Sequence, residues 1–152
     1  MKDRVYEIYL QIVEKTLGLY PGTPEHLRRL SDAGLRLALA SSADRIKVDA
    51  NLRVAGIPAD RFAVLLSAED VRQKKPHPEI YATAAARLSL PPEQCVVVED
   101  ALNGIRAAKA AGMRCYALTT TFAPAELKKE GADFIAADLG EVCKEILNRV
   151  RD

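Results

Sequence analysis

With 152 residues, 49% of them hydrophobic and 28% charged, the chain is long enough to bury a core against both faces of one sheet. Its 22 Lys and Arg nearly cancel 21 Asp and Glu, so no net field draws it to nucleic acid or to an anionic membrane surface. No apolar run reaches the roughly 20 residues of a membrane span, and the opening MKDRVYEIYL lacks the apolar region of a signal peptide, which predicts a soluble, cytoplasmic-type protein.

Apolar residues Val5, Ile8, Tyr9, Ile12 and Val13 recur at helical spacing and predict a helix from about Lys2 to Thr16, ended by Gly18. Thr23-Pro24-Glu25 reads as a cap residue and first-turn proline opening a second helix that closes at Ala33-Gly34. The apolar stretch Leu35 to Ala40 reads as a strand, followed by Ser41-Ser42-Ala43-Asp44 and a helix to about Gly56. Further strands are predicted at Ala63 to Leu66, Cys95 to Val98, Arg114 to Leu118 and Asp133 to Ile135, with helices at about Glu79 to Leu88, Asn103 to Ala111, Pro124 to Glu130 and Leu139 to Val150. This alternation is the signature of an α/β fold, a Rossmann-like parallel sheet with helices on both faces. The three cysteines, Cys95, Cys115 and Cys143, are odd in number, widely spaced and in apolar surroundings, which predicts buried thiols in a reducing compartment.

Ligands of open α/β sheets bind outside the carboxyl ends of the strands. Three features fall there: the hydroxyls Ser41 and Ser42, the lysine of Lys74-Lys75-Pro76, and Glu99-Asp100 followed by Asn103 and Gly104. Hydroxyls and backbone N–H groups at a strand-to-helix turn hold phosphate oxygens, an ammonium offsets transition-state charge, and paired carboxylates hold Mg²⁺. Each feature also has a plainer reading, as a helix cap, a solvated loop and a first-turn acidic pair respectively. Their joint occurrence, each at the end of a different strand, favours the phosphate-and-cation reading. His77 beside the lysine reads as a loop residue, Ser41 lacks the Gly-x-Ser-x-Gly elbow of a serine hydrolase, and Ile105, Ala108 and Ala111 read as core.

The order of these features resembles the haloacid dehalogenase-like hydrolase superfamily, in its β-phosphoglucomutase-like and phosphoglycolate-phosphatase-like branch. Leu39-Ala40-Ser41-Ser42 looks like its phosphoryl-binding strand end, Lys75-Pro76-His77-Pro78-Glu79-Ile80-Tyr81 like its lysine loop, and Val96 to Met113 matches its acidic motif over eighteen positions. The run Ala40 to Leu52 looks closer still to the hydrolase domain of suppressor-of-quenching-type chloroplast proteins, which would imply a chloroplast setting. The resemblance implies a Mg²⁺-dependent phosphatase or phosphomutase acting on a small phosphorylated metabolite. It assigns Glu99 and Asp100 to the metal, Ser41, Ser42, Lys75 and Asn103 to the phosphoryl group, and Lys75 and Asp100 to catalysis.

The family's first motif is a strand ending in Asp-x-Asp-x-Thr, whose first Asp is the nucleophile, and no Asp-x-Asp occurs in these residues. The expectation is therefore a core (residues 19–152) preceded by the tail of a helical cap (1–18), with the nucleophile strand supplied by a missing N-terminal segment of the same domain. That strand would lie between the Ser strand and the acidic strand, leaving a slot about 10 Å wide, two strand spacings. Unpaired buried backbone groups cost about 1–3 kcal/mol each, so the two strands are expected to pair directly, or the exposed edges to pair between copies as a homo-oligomer, rather than stay apart. A non-catalytic regulatory domain that keeps the pocket is the alternative. A receiver-like signalling domain fits less well, since its acidic pair comes near the first strand.

Overall fold

Apolar strands alternate with amphipathic helices along the whole chain, of which the structure, a computed structural model, describes residues 2–151, with side chains for 4–150. The elements are α1 Lys2–Thr16, α2 Thr23–Asp32, β1 Ala38–Ala40, α3 Arg45–Ala55, β2 Val64–Leu66, α4 Glu79–Leu88, β3 Val96–Glu99, α5 Leu102–Ala110, β4 Arg114–Leu118, α6 Pro124–Lys129, β5 Phe134–Ala136 and α7 Leu139–Arg151. Among the described residues, no helix is long and apolar enough to cross a membrane. Met1 and Asp152, the ends of the two expected domains, lie outside the described residues.

Two local expectations are corrected. The first strand is three residues, not six, because Leu35 belongs to the close of α2: Gly34 takes φ +82°, and the Leu35 N–H turns back to the Leu30 carbonyl at 3.2 Å, the helix-ending pattern that glycine permits. Thr23 does not cap α2 either. Gly22 occupies that position, and the Thr23 hydroxyl instead donates to the Tyr20 carbonyl at 2.7 Å.

All strand pairs are parallel. β1 pairs with β2 in the register Ala38↔Val64 to Ala40↔Leu66, β3 with β4 from Val96↔Arg114 to Glu99↔Ala117, and β4 with β5 from Tyr116↔Phe134 to Leu118↔Ala136. Side chains alternate across a strand, so Val97, Cys115 and Ala117 enter one buried cluster with α4 and α5. Tyr116 and Leu118 join Ala136 and Val142 of α7 on the other face. Leu39 and Leu65 pack against Val48 and Leu52 of α3.

The two sheets, β1-β2 and β3-β4-β5, are not bonded to each other. Direct pairing of the Ser strand with the acidic strand, the expected closure, does not occur. The reason lies in α4. Its Ile80, Tyr81, Ala84, Ala85 and Leu88 are buried in a single cluster with Val64 and Leu66 of one sheet and Val97, Cys115 and Ala117 of the other, so one helix holds both sheets at a fixed separation. The inner edges of β1 and β3 thus face each other across a groove of about 450 Å³, lined by Ala38, Ala40, Val96, Val98, Leu30 and Ile146 among others. Val96 and Val98, each 38% exposed, are unusually open for strand valines, because they stand at this edge.

Cys115 and Cys143 are buried, Cys95 is partly so, and all three are free thiols. Burial, with Glu99 nearby, pushes the Cys115 thiol up to about 12, which keeps it protonated and inert.

Candidate active site

β1 ends at Ala40, and the next residue, Ser41, donates its N–H to the Leu66 carbonyl of β2 at 2.9 Å. That bond extends the ladder one step and places the Ser41 hydroxyl where the chain turns towards α3. The hydroxyl oxygen accepts the Ala43 N–H at 3.1 Å, a local turn that side-chain oxygens form readily. Ser42 is exposed.

Lys75 lies on the loop after β2, at a cis Lys75–Pro76 peptide. Its ammonium donates to the Ala40 carbonyl at 3.3 Å and to Glu99 Oε1 at 2.5 Å, and it lies 4.6 Å from the centre of the Tyr81 ring. It therefore ties the end of β1 to the end of β3, across the groove. Side-chain exposure is only 12% for Lys75 and 10% for Glu99, so the pair is shielded from solvent. His77 behaves as the loop residue expected: its Nδ1 accepts the Glu79 N–H at 3.2 Å, at the start of α4.

Glu99 shares the strand face of Val97, two residues earlier, and so points into the α4 side. Both of its oxygens are committed there. Oε1 accepts from Lys75 and from the Tyr81 hydroxyl at 2.6 Å, and Oε2 accepts the N–H groups of Asp100 at 3.1 Å and Ala101 at 3.2 Å. Burial drives the Glu99 carboxyl upward. The attraction of Lys75, the Lys75 and Tyr81 hydrogen bonds and the Ala101 N–H together outweigh it and hold the group below the ordinary carboxylate value. Tyr81, conversely, is driven far up by burial and then by Glu99, so it stays a neutral phenol that donates.

Gly104 explains the spacing of this motif. A Cβ built there would lie 2.0 Å from Glu99 Cδ, so only glycine lets the first turn of α5 rest on the Glu99 carboxylate.

Asp100 is placed differently. It lies past the end of β3, and its Oδ2 accepts the Thr121 hydroxyl at 3.0 Å and the Tyr20 hydroxyl at 3.3 Å; no hydrogen bond to Oδ1 occurs among the described residues. No group of three or more His, Cys, Asp or Glu is clustered as a cation cage among them. The donor set nonetheless suits Mg²⁺ in one mode. That ion commonly takes one or two carboxylates and completes its octahedron with water and substrate phosphate, and Asp100 offers one such hard oxygen. Glu99 does not, because its lone pairs are taken. Of the two carboxylates expected at the metal, Glu99 is thus committed to Lys75, Tyr81 and the backbone, while Asp100 keeps one oxygen without a hydrogen bond among the described residues.

The structure brings Ser41, Lys75, Glu99 and Asp100 together at the carboxyl ends of β1 and β3. Asn103 is exposed, and its Oδ1 accepts from Arg106 at 3.4 Å, which gives it no tie to these groups. Sequence reasoning missed Tyr81, Tyr20 and Thr121. Thr121 had a readable signal, the Thr119-Thr120-Thr121 run at the carboxyl end of β4, whereas Tyr20 had only its place before a Pro-Gly turn.

Known proteins resemble this chain in sequence and in fold. The family model described as haloacid dehalogenase-like hydrolase matches residues 2–112. The chain is 45% identical over 144 residues to the protein SUPPRESSOR OF QUENCHING 1, chloroplastic, of Arabidopsis thaliana, covering 93% of this chain and 14% of that one. It is 39% identical over 133 residues to protein CbbY of Rhodobacter capsulatus, covering 86% of this chain and 56% of that one. Among solved structures, a CbbY variant from Rhodobacter sphaeroides in complex with xylulose-(1,5)bisphosphate superposes with a TM-score of 0.80 at 35% identity, over 90% of this chain and 61% of that one. The chain spans little more than half the length of these CbbY proteins and a small part of the chloroplast protein. It belongs to the haloacid dehalogenase-like hydrolases, in their CbbY- and β-phosphoglucomutase-like branch.

Proposed function

We propose that this chain supplies the phosphoryl-binding and cation-holding part of a phosphoric monoester hydrolase acting on a small phosphorylated sugar. The observation that carries the reading is the shielded Lys75 ammonium, held between the Ala40 carbonyl and Glu99, the residues that immediately precede Ser41 and Asp100. The solved relative bound to xylulose-(1,5)bisphosphate supports the substrate class, as does a 34% identical relative over 137 residues, hexitol phosphatase B of Escherichia coli.

In this reading Ser41 donates its hydroxyl to a phosphoryl oxygen, and Lys75 offsets charge that develops on the transferring group. Glu99 fixes Lys75, and Asp100 would hold the cation. Bound Mg²⁺ would supply further charge neutralisation at the phosphoryl oxygens. The nucleophile is an aspartate contributed by an N-terminal segment outside these residues, with 1–18 as the tail of a cap. The groove between β1 and β3 supports this, since a parallel strand seated there would meet the free edges of both sheets and bring its carboxyl end to the lysine.

The test is complementation. The chain alone is expected to leave an aryl phosphate or a sugar phosphate intact, and to hydrolyse it once mixed or co-expressed with a segment that ends in Asp-x-Asp-x-Thr. Turnover by the chain alone that Ser41→Ala abolishes would place the nucleophile within it and end this reading. Stable binding of the segment with no turnover would favour a non-catalytic domain. A companion expectation concerns the cation: with one carboxylate available, Mg²⁺ should bind the chain alone with a dissociation constant on the order of millimolar or weaker. Calorimetry showing micromolar affinity that survives Asp100→Ala would mean that the cation sits elsewhere.

A further inference from the structure

Asp100 is held by two elements that come from opposite ends of the chain. Thr121 follows β4, and its hydroxyl donates to Oδ2 at 3.0 Å. Tyr20 comes from the connector between α1 and α2, and its hydroxyl reaches the same oxygen at 3.3 Å while lying 3.2 Å from the Thr120 hydroxyl. With Tyr20 donating to the carboxylate, Thr120 donates to Tyr20, so these two hydroxyls form a chain that ends on Asp100, and Thr121 reaches the same oxygen on its own.

The backbone under Tyr20 is built to aim it. Tyr20-Pro21-Gly22-Thr23 forms a turn closed by the Thr23 N–H to the Tyr20 carbonyl at 3.1 Å. Gly22 lies at φ 72°, ψ 11°, the values of the third residue of a type II turn, and proline stands in the second position, where its fixed φ fits. The Thr23 hydroxyl donates to the same carbonyl at 2.7 Å. Packing does not explain where the ring points, because Tyr20 is 42% exposed and belongs to none of the buried clusters. Its specific contacts are those of the hydroxyl.

We propose that Tyr20 is a positioning residue for Asp100: with Thr121 it engages Oδ2 and so leaves Oδ1 as the oxygen presented to a cation. This rests on the reading of Asp100 as the cation-holding carboxylate. A carboxylate pinned through one oxygen loses less freedom when the other binds, and removing such outer partners lowers metal affinity.

The experiment is a Mg²⁺ titration of the ¹⁵N- and ¹³C-labelled chain followed by NMR, comparing the wild type with Tyr20→Phe and Thr121→Val, and with Thr16→Ala as a control. Thr16 is an exposed hydroxyl at the end of α1 whose donor bond goes to the Ile12 carbonyl. Tyr20→Phe keeps the ring, so thermal stability should be unchanged. The expected result is a saturable shift centred on Asp100 in the wild type and an affinity about three- to tenfold weaker in Tyr20→Phe and in Thr121→Val, with the control unmoved. Without metal, the Asp100 carboxylate ¹³C resonance should shift in both variants and not in the control. Equal Mg²⁺ affinities for wild type and Tyr20→Phe, even with looser amide exchange across residues 17–22, would overturn the positioning role and reduce Tyr20 to a tether. Absence of any saturable shift at Asp100 in the wild type would instead sink the cation reading, and this inference with it.

Discussion

Replacing Glu99 with alanine is expected to destabilise the folded chain by about 3–5 kcal/mol, the range for stranding one partner of a buried ion pair. Lys75 would keep its place, 12% exposed, with only the Ala40 carbonyl and the Tyr81 ring to receive its charge, and the Tyr81 hydroxyl and two N–H groups would lose their acceptor. Urea denaturation measures the loss. The Arg106–Glu130 pair makes a useful contrast: Arg106 is half exposed, and Arg106→Ala should cost far less, because solvent screens an exposed pair. Adding Lys75→Met to Glu99→Ala should return part of the loss, because the stranded charge goes with it. A Glu99→Ala cost below that of Arg106→Ala would show that the pair is solvated.

The same pair sets an acid limit. Glu99 is held below its ordinary value of 4.5, so the stability it contributes is present in full above the unfolded value and lost as pH falls through the lower folded one. Asp70, through the Ser67 N–H and hydroxyl, and Asp133, whose burial is outweighed by Lys109 and the Cys115 N–H, shift in the same direction. All three therefore weaken the fold on the acid side, and the Glu99→Ala variant should lose less on acidification than the wild type.

Most of the fold was legible because burial writes a period into the sequence. Arg114 to Leu118, Lys2 to Thr16 and Glu79 to Leu88 were placed to the residue, since each has its apolar spacing bounded by Gly, Pro or polar residues. Leu35 and Leu37 misled because hydrophobicity reports burial and not bonding: both are apolar, yet the Leu35 N–H is spent on closing α2. The expected closure of the sheets failed for a different reason, a helix that packs on both of them, and single-chain periodicity contains no information on which two surfaces one helix bridges. At the site, residue types and strand ends located Ser41, Lys75 and the acidic pair together. Which carboxylate does what was also in principle readable. Period two puts Glu99 on the buried face of Val97, whereas Asp100 lies beyond the strand. Tyr20 was not readable, since it sits about 80 residues from its partner with no periodic element between its turn and α1.

Gly104→Ala should act with opposite sign in two backgrounds. In the wild type, helix propensity favours alanine by up to about 1 kcal/mol, but the new methyl meets the Glu99 carboxylate at 2.0–2.5 Å. A carboxylate at the end of a free side chain would step aside at little cost. This one is pinned by Lys75, Tyr81 and two backbone N–H groups, so relieving the clash breaks the bonds that satisfy a buried charge. The expected net effect is a loss of about 2–4 kcal/mol, of the order seen for overpacking combined with damage to a buried pair. In the Glu99→Ala background the obstacle is gone, and Gly104→Ala should be neutral or stabilising by about 0.5–1 kcal/mol. The two substitutions share one contact, so they should be strongly non-additive. Equal destabilisation by Gly104→Ala in both backgrounds would place the constraint on the α5 backbone rather than on Glu99, and the glycine of this motif would then need another explanation.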